Sequence, residues 1–112
     1  MKIYHNPRCR KSRETLSLIQ NSGIEPEIVL YLETPPTKSE LEELIDMLGI
    51  SPSQLIRKGE SIWKENYKGK ELNDDQLITA MSTHPKLIER PIVVKGSKAL
   101  LGRPPENVQV FL

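Results

Sequence analysis

The stretch KIYHNPRCRKSRETL, residues 2–16, decides the fold, because it changes from a strand pattern to a helix pattern around one cysteine. A short apolar run ends at Asn6, which precedes a proline and marks a turn. A helical pattern follows over residues 10–21 and stops before Gly23. The stretch therefore predicts a strand, a turn and a helix, with Cys9 at the mouth of the helix.

The rest of the chain predicts further strands and helices. A second apolar run, residues 27–32, reads as a buried strand. Thr37 and Glu40 make a capping box that opens the next helix. The remaining predicted elements are helices at 37–48, 52–56 and 73–81, a helical turn pinned by Trp63 and Tyr67, an antiparallel hairpin of 91–94 and 98–101, and a last helix from about 104.

The order of these elements predicts an α/β fold. A β-α-β unit comes first, a helical insertion occupies about residues 34–84, and a β-β-α unit closes the chain. A crossover helix joins parallel strands, and the hairpin adds antiparallel ones, so we expect a mixed four-stranded sheet with thioredoxin-like element order. We interpret residues 1–112 as a single domain. Element order does not decide function, which depends on the site.

Composition excludes several classes of protein. The formal net charge of the 112 residues is +1, which favours neither nucleic acid nor membrane surfaces as partners. One cysteine cannot form an internal disulfide or a thiolate metal site, so we expect a reducing compartment, the cytoplasm, and no bound metal. No apolar leader or spanning segment is visible. We expect a monomer without a bound cofactor.

Cys9 is the candidate catalytic residue. A lone cysteine is most often a small buried hydrophobic residue. Here, however, cations surround it, at Arg8, Arg10, Lys11 and Arg13, and these cannot all be buried. At a helix mouth, backbone N–H groups and nearby positive charge stabilise a thiolate and lower its pKa. The setting predicts a nucleophile, although most of the cations need be no more than a solvated helix face.

Two neighbours of Cys9 bear on its chemistry. His5 lies four residues earlier, either as an imidazolium that helps hold the thiolate or as a neutral, packed ring. Ser12 stands where a C-x-x-C motif has its second cysteine, and we expect it to line the substrate site. A redox cycle through Cys9 must therefore take its second thiol from outside the chain.

Five blocks in this order resemble the glutaredoxin-coupled arsenate reductase family of bacteria, in particular a compact branch of it. They span almost the whole chain and read YHNPRCRKSRETL, YLETPPTKSELEEL, LIRKGE, HPKLIERPIVV and LGRPPENV. The resemblance implies a thioredoxin-like fold, in which Cys9 attacks arsenate and His5 assists. It also implies a cis bond before Pro91 and three anion-binding arginines, which are Arg57, Arg90 and Arg103.

Planar guanidinium groups suit the oxygens of a tetrahedral anion better than lysine does. Each of the three arginines lies at the end of an element, where side chains can converge on one site. The resemblance implies that glutathione is a co-substrate and glutaredoxin a partner. Either Arg8 or Arg10 offers a docking charge for the γ-glutamyl tail of glutathione.

Two other functions stay open at this stage. One is a thiol oxidoreductase that acts on another oxyanion or on glutathionylated proteins. The other is a redox regulator similar to the Spx family, which binds RNA polymerase, but that family typically carries C-x-x-C where this chain has Ser12. We interpret Trp63 and Tyr67 as packing residues, and His84 as a helix-end residue rather than a ligand.

Overall fold

The computed structural model describes residues 1–112, which divide into two compact units. The first unit, residues 1–34 and 90–112, carries the sheet. Its elements are β1 (Lys2–Tyr4), α1 (Arg10–Asn21), β2 (Glu27–Val29), β3 (Ile92–Lys95), β4 (Lys98–Leu101) and a C-terminal 3₁₀ helix (Pro105–Phe111). The second unit, residues 35–89, contains α2 (Lys38–Leu48), α3 (Pro52–Leu55), α4 (Ser61–Asn66), α5 (Asp74–Thr83) and a 3₁₀ turn (Pro85–Leu87).

The sheet of the first unit has the strand order β2-β1-β3-β4. β1 pairs in parallel with β2 and antiparallel with β3, so that Ile3 lies between Ile28 and Val93. β3 and β4 form the expected antiparallel hairpin. The predicted mixed four-stranded sheet is therefore confirmed. The chain reaches the parallel strand because α1 crosses over between β1 and β2, as such connections require.

One apolar cluster holds α1 against this sheet. Its members are buried and come from β1, α1, β3 and the C-terminal 3₁₀ helix: Ile3, Ile19, Val93, Val108 and Phe111. Ser12 and Thr15 of α1 are buried as well as Ile19. The first turn of α1, which follows Cys9, is therefore packed and rigid.

Two predictions about this unit are wrong in detail. The run 27–32 is not a buried strand: β2 ends at Val29, and Ile28 is 43% exposed. β2 lies at the edge of the sheet, and the chain turns directly after it, with the carbonyl of Leu30 accepting from Glu33 and Thr34. The last helix is a 3₁₀ helix rather than an α-helix.

The second unit is helical. The Thr37–Glu40 capping box forms as predicted, and α2, α3 and the 3₁₀ turn all pack against α5. Trp63 is buried and stacks on Tyr67 with ring centroids 5.4 Å apart, and His84 ends α5, as the sequence indicated. No helix of the chain is long and apolar enough to cross a bilayer.

Candidate active site

The loop between β1 and α1 is held by its own polar groups. The N–H of His5 donates to the carbonyl of Val29 at 2.9 Å, which extends the β1–β2 ladder by one residue. Asn6 then accepts twice: its carbonyl from the N–H of Cys9 at 3.0 Å, and its side chain from the N–H of Arg8 at 3.0 Å. The turn delivers Cys9 to the N-cap position of α1 in an extended conformation.

The thiol of Cys9 is partly exposed, and its pKa is lowered from the ordinary value of 9.0. Partial burial acts in the opposite direction, since it disfavours the thiolate. The backbone N–H of Ser12, the guanidinium of Arg90 and the N–H of Lys11 together outweigh it. The neutral thiol of Cys9 makes no capping hydrogen bond to α1. The two N–H groups and the guanidinium lower the pKa because they stabilise the charged thiolate form. Cys9 is therefore a partly exposed thiol with a stabilised thiolate, and not a buried hydrophobic residue.

Ser12 is the centre of the polar contacts behind Cys9. Its side chain is fully buried, and its Oγ accepts from the N–H of Asn6 at 3.0 Å and lies 2.6 Å from Nδ1 of His5. Burial, and then the positive charge of Arg13, lower the pKa of His5. Of the two alternatives left open by the sequence, the lowered pKa favours the neutral, packed ring. A neutral His5 adds no positive charge beside the thiolate. Its ring contacts the hydroxyl of Ser12, and that hydroxyl accepts from Asn6 in the turn before Cys9.

Arg90 and Arg103 belong to one connected segment of the first unit. Both precede proline through a cis peptide bond; the resemblance implied the first of these bonds, whereas nothing in the sequence analysis pointed to the second. The guanidinium of Arg103 donates from Nη1 to the carbonyl of Arg90 at 3.3 Å. Since Arg90 also contacts the thiol of Cys9, the structure brings these two arginines and the cysteine into one continuous set of contacts.

Gly102 is a supporting residue that the sequence analysis missed. Its N–H donates to the carbonyl of Pro91 at 2.9 Å. A Cβ at this position would lie 2.5 Å from Oγ1 of Thr15 and 2.8 Å from Cγ of Pro91, which is closer than real side chains approach. Only glycine allows the segment that carries Arg103 to pack so closely on α1. The signal was present in LGRPP, where a glycine directly precedes the candidate arginine.

Arg57 lies in the second unit. That it binds the same anion as Arg90 and Arg103 stays a prediction. An isolated β-bridge pairs Ile56 with Ile88, and the N–H of Arg57 donates to Leu87 at 2.7 Å. Two carboxylates that the sequence analysis did not single out flank its guanidinium: Glu60 at 3.4 Å and Glu89 at 3.7 Å. The backbone and side chain of Arg57 are thus both restrained within their own unit.

The arrangement in the first unit suits chemistry on an anion. A thiolate at a helix N-terminus, two N–H groups and two guanidinium groups form a local excess of positive charge that is fixed before any substrate arrives. A tetrahedral oxyanion attacked by Cys9 would meet donors already in place. Of the cations next to Cys9 in the sequence, Arg8 and Lys11 are exposed. The guanidinium that acts on the thiol is that of Arg90, which lies far away in the sequence.

Comparison with known proteins agrees with this assignment. The model of the ArsC family matches residues 4–111. The uncharacterised protein YfgD of Escherichia coli (strain K12) is 54% identical over 110 residues, which cover 96% of this chain and 92% of that protein. An arsenate reductase of Neisseria meningitidis serogroup A is 44% identical, with 100% and 97% covered. The structure of an arsenate reductase from Vibrio cholerae superposes with a TM-score of 0.94 at 50% identity, covering 99% and 96% of the two chains.

Proposed function

Because this chain belongs to the ArsC family, whose model spans residues 4–111, we propose that it reduces arsenate to arsenite, with Cys9 as the nucleophile and with glutathione and glutaredoxin as the source of electrons. One observation carries the proposal: the only cysteine of the chain has a lowered pKa and a guanidinium in contact with it. Full-length relatives that bear the name arsenate reductase support the choice of substrate.

In the first step the Cys9 thiolate attacks arsenic(V). An arsenic–sulfur bond forms, and one arsenate oxygen takes up two protons and leaves as water. Arg90 and Arg103, together with Arg57 in this proposal, balance the negative charge on the remaining oxygens. Ser12 lines the substrate site in this proposal, and its buried hydroxyl, paired with neutral His5, keeps the Cys9 turn in place during the attack.

The electrons come from two external thiols. Glutathione adds to arsenic through its sulfur and releases a second water. The glutaredoxin thiolate then attacks that sulfur, so the sulfur–arsenic bond breaks and its electron pair stays on arsenic, which becomes arsenic(III). A mixed disulfide of glutaredoxin and glutathione leaves. Water finally displaces the Cys9 thiolate, and arsenite departs.

Ser12 supports this choice of donor. Since the chain has one cysteine, no internal disulfide can form for thioredoxin to reduce. A free thiol of this kind also suits a reducing compartment, so we propose that the reaction takes place in the cytoplasm. We also propose that the protein acts as a monomer.

The test is arsenite formation by the purified protein supplied with arsenate, glutathione and glutaredoxin. We expect turnover that Cys9→Ser abolishes and that requires both thiol components. Turnover with thioredoxin alone would contradict the proposed donor. Deglutathionylation of a mixed disulfide by the protein, without arsenite formation, would instead favour the thiol oxidoreductase alternative. Specific binding to RNA polymerase without either activity would favour the regulator.

A further inference from the structure

We propose that a cleft between α1 and the start of the C-terminal 3₁₀ helix binds the zwitterionic γ-glutamyl arm of glutathione. The inference rests on the proposed function for the identity of the thiol, and it adds the place where that thiol docks. The cleft has a volume of about 350 Å³ and is open to solvent. That volume lies at the lower end of the range found for small-molecule sites.

The position of the cleft relates it to Cys9. One wall is a single face of α1 that begins at Arg10, the residue after Cys9, and continues through Arg13 to Leu18. The other wall begins at Pro105, two residues after Arg103. Both walls therefore start beside residues of the proposed active site, and the cleft extends away from them.

A contact confirms that the cleft reaches the Cys9 loop. Arg13, which lines the cleft, donates from Nη1 to the carbonyl of Pro7 at 2.9 Å. Its charge also lowers the pKa of His5, although burial of that ring is the larger cause. One guanidinium thus lies both in the cleft and against the loop that carries the nucleophile.

The charges of the cleft match one arm of the peptide. The γ-glutamyl arm ends in an ammonium group and a carboxylate on the same carbon. The cleft offers the guanidinium groups of Arg10 and Arg13 for the carboxylate and the carboxylate of Glu106 for the ammonium group. A second carboxylate of the cleft, that of Glu14, is paired with Arg10. The glycyl arm of glutathione carries a carboxylate alone, so it lacks a group for Glu106.

Arg10 can change partners at little cost. It pairs with Glu14 at 2.8 Å, but the side chain of Arg10 is 84% exposed. An exposed ion pair of this kind contributes little to stability, so breaking it costs little. Arg8, the other cation considered from the sequence, does not line the cleft.

The distance from Cys9 to Arg13 along α1 also agrees with the length of the γ-glutamyl arm. The four residues from Cys9 to Arg13 rise by about 6 Å along the helix. Two extended residues span about 7 Å, which approximates the distance from the thiol of glutathione to the end of its γ-glutamyl arm. An arm whose charged end lies beside Arg13 is therefore long enough for its thiol to reach Cys9.

The experiment uses the full chain with Cys9→Ser, so that no covalent adduct forms, and follows its amide signals by NMR. Three probes are titrated: glutathione, γ-glutamylcysteine, which keeps the arm, and cysteinylglycine, which lacks it. We expect the first two to bind with similar affinity, to shift signals of residues 10–18 and 106, and to bind at least about five-fold more tightly than cysteinylglycine. Equal binding of all three, or shifts elsewhere, would overturn the proposal.

Substitutions in the cleft provide a second test. Arg10→Gln and Glu106→Gln, each combined with Cys9→Ser, should weaken glutathione binding about three- to five-fold, the loss expected of one solvent-exposed ion pair. They should leave the binding of cysteinylglycine unchanged. Lys98→Gln is the matched control, because it removes a charge from β4 that does not line the cleft. If the control weakened glutathione binding as much, the effect would be general electrostatics and the cleft would be rejected.

These results separate the docking site from the reaction. Binding is measured without arsenate, so it can succeed even if the protein reduces a different oxyanion. Conversely, arsenite formation together with no glutathione binding at residues 10–18 would refute the cleft and leave the proposed function intact.

Discussion

Gly102→Ala tests how tightly the arginine segment packs on α1. The new Cβ would lie 2.5 Å from Oγ1 of Thr15, 2.9 Å from its Cγ2 and 2.8 Å from Cγ of Pro91. Thr15 has no exposed surface, and its hydroxyl donates to the carbonyl of Lys11 at 2.8 Å. Neither it nor a proline ring can rotate away, so we expect a cost at the upper end of the overpacking range, about 2 to 3 kcal/mol of unfolding free energy.

The measurement is thermal unfolding of the variant beside Gly59→Ala. A Cβ at Gly59 meets nothing within 4 Å, so that control should unfold within about 0.5 kcal/mol of the parent protein. For a domain of this size, the loss at Gly102 corresponds to a fall in Tm of about 8 to 12 °C. A Tm for Gly102→Ala equal to that of the control would refute the packing argument.

A double-mutant cycle with Thr15→Ala sharpens the test. The single change removes a hydrogen bond and a buried methyl group, for about 1 to 2 kcal/mol. In the double variant the Cβ at position 102 occupies the space that the threonine leaves, and only the contact with Pro91 remains. The combined cost should therefore be clearly smaller than the sum. Strict additivity would mean that the two side chains do not compete for the same space.

Three further predictions concern the site. Alkylation of Cys9 should titrate below its ordinary pKa of 9.0, and Arg90→Gln should move the midpoint upward, because the variant loses the guanidinium that stabilises the thiolate; an unchanged midpoint would remove Arg90 from the site. Arg90→Ala and Arg103→Ala should each lower arsenate turnover ~10²-fold with little loss of stability. Lysine at either position should not fully restore turnover. Turnover at the parent rate in the alanine variants would contradict the anion site. Since the pKa of His5 is lowered below 6.5 in the folded state, the unfolded state binds more protons. The contribution of His5 to the free energy of unfolding is therefore complete above pH 6.5 and is lost as the pH falls below 6.5 and through the lower pKa of the folded state. Urea unfolding at pH 7.5 and 5.5 should show a smaller loss of stability for His5→Gln than for the parent protein.

The predictable parts of the fold are those set by local pattern. The helix after Cys9, the Thr37 capping box and the hairpin around Gly96 each follow from residues that are near one another in the sequence. The end of β2 was not predictable in this way, because the run 27–32 stays apolar beyond the point where β2 loses its partner and the chain turns. An edge strand depends on tertiary neighbours that a periodicity does not reveal.

The same distinction applies to the site. The charges beside Cys9 were visible in the sequence, and so was the missing second thiol at Ser12. The state of His5 was not, because it depends on how far the ring is buried and on Arg13. Nor was the close approach of Gly102 to Thr15, since 87 residues separate these partners. Side chains that support a site across such separations leave at most a glycine or a proline as a signal.

The groups that lower the pKa of Cys9 have a second consequence for the proposed reaction, at the step in which the bond to Cys9 breaks. A thiolate that is stabilised before it attacks is also stabilised when it departs, and a sulfur with a lower pKa is a better leaving group. The same Arg90 guanidinium and helix N–H groups that favour formation of the bond from sulfur to the substrate thus favour its rupture. In the proposed reaction the Cys9 adduct should therefore be short-lived, and a variant whose adduct persists longer would be a poorer catalyst even if it reacted just as fast.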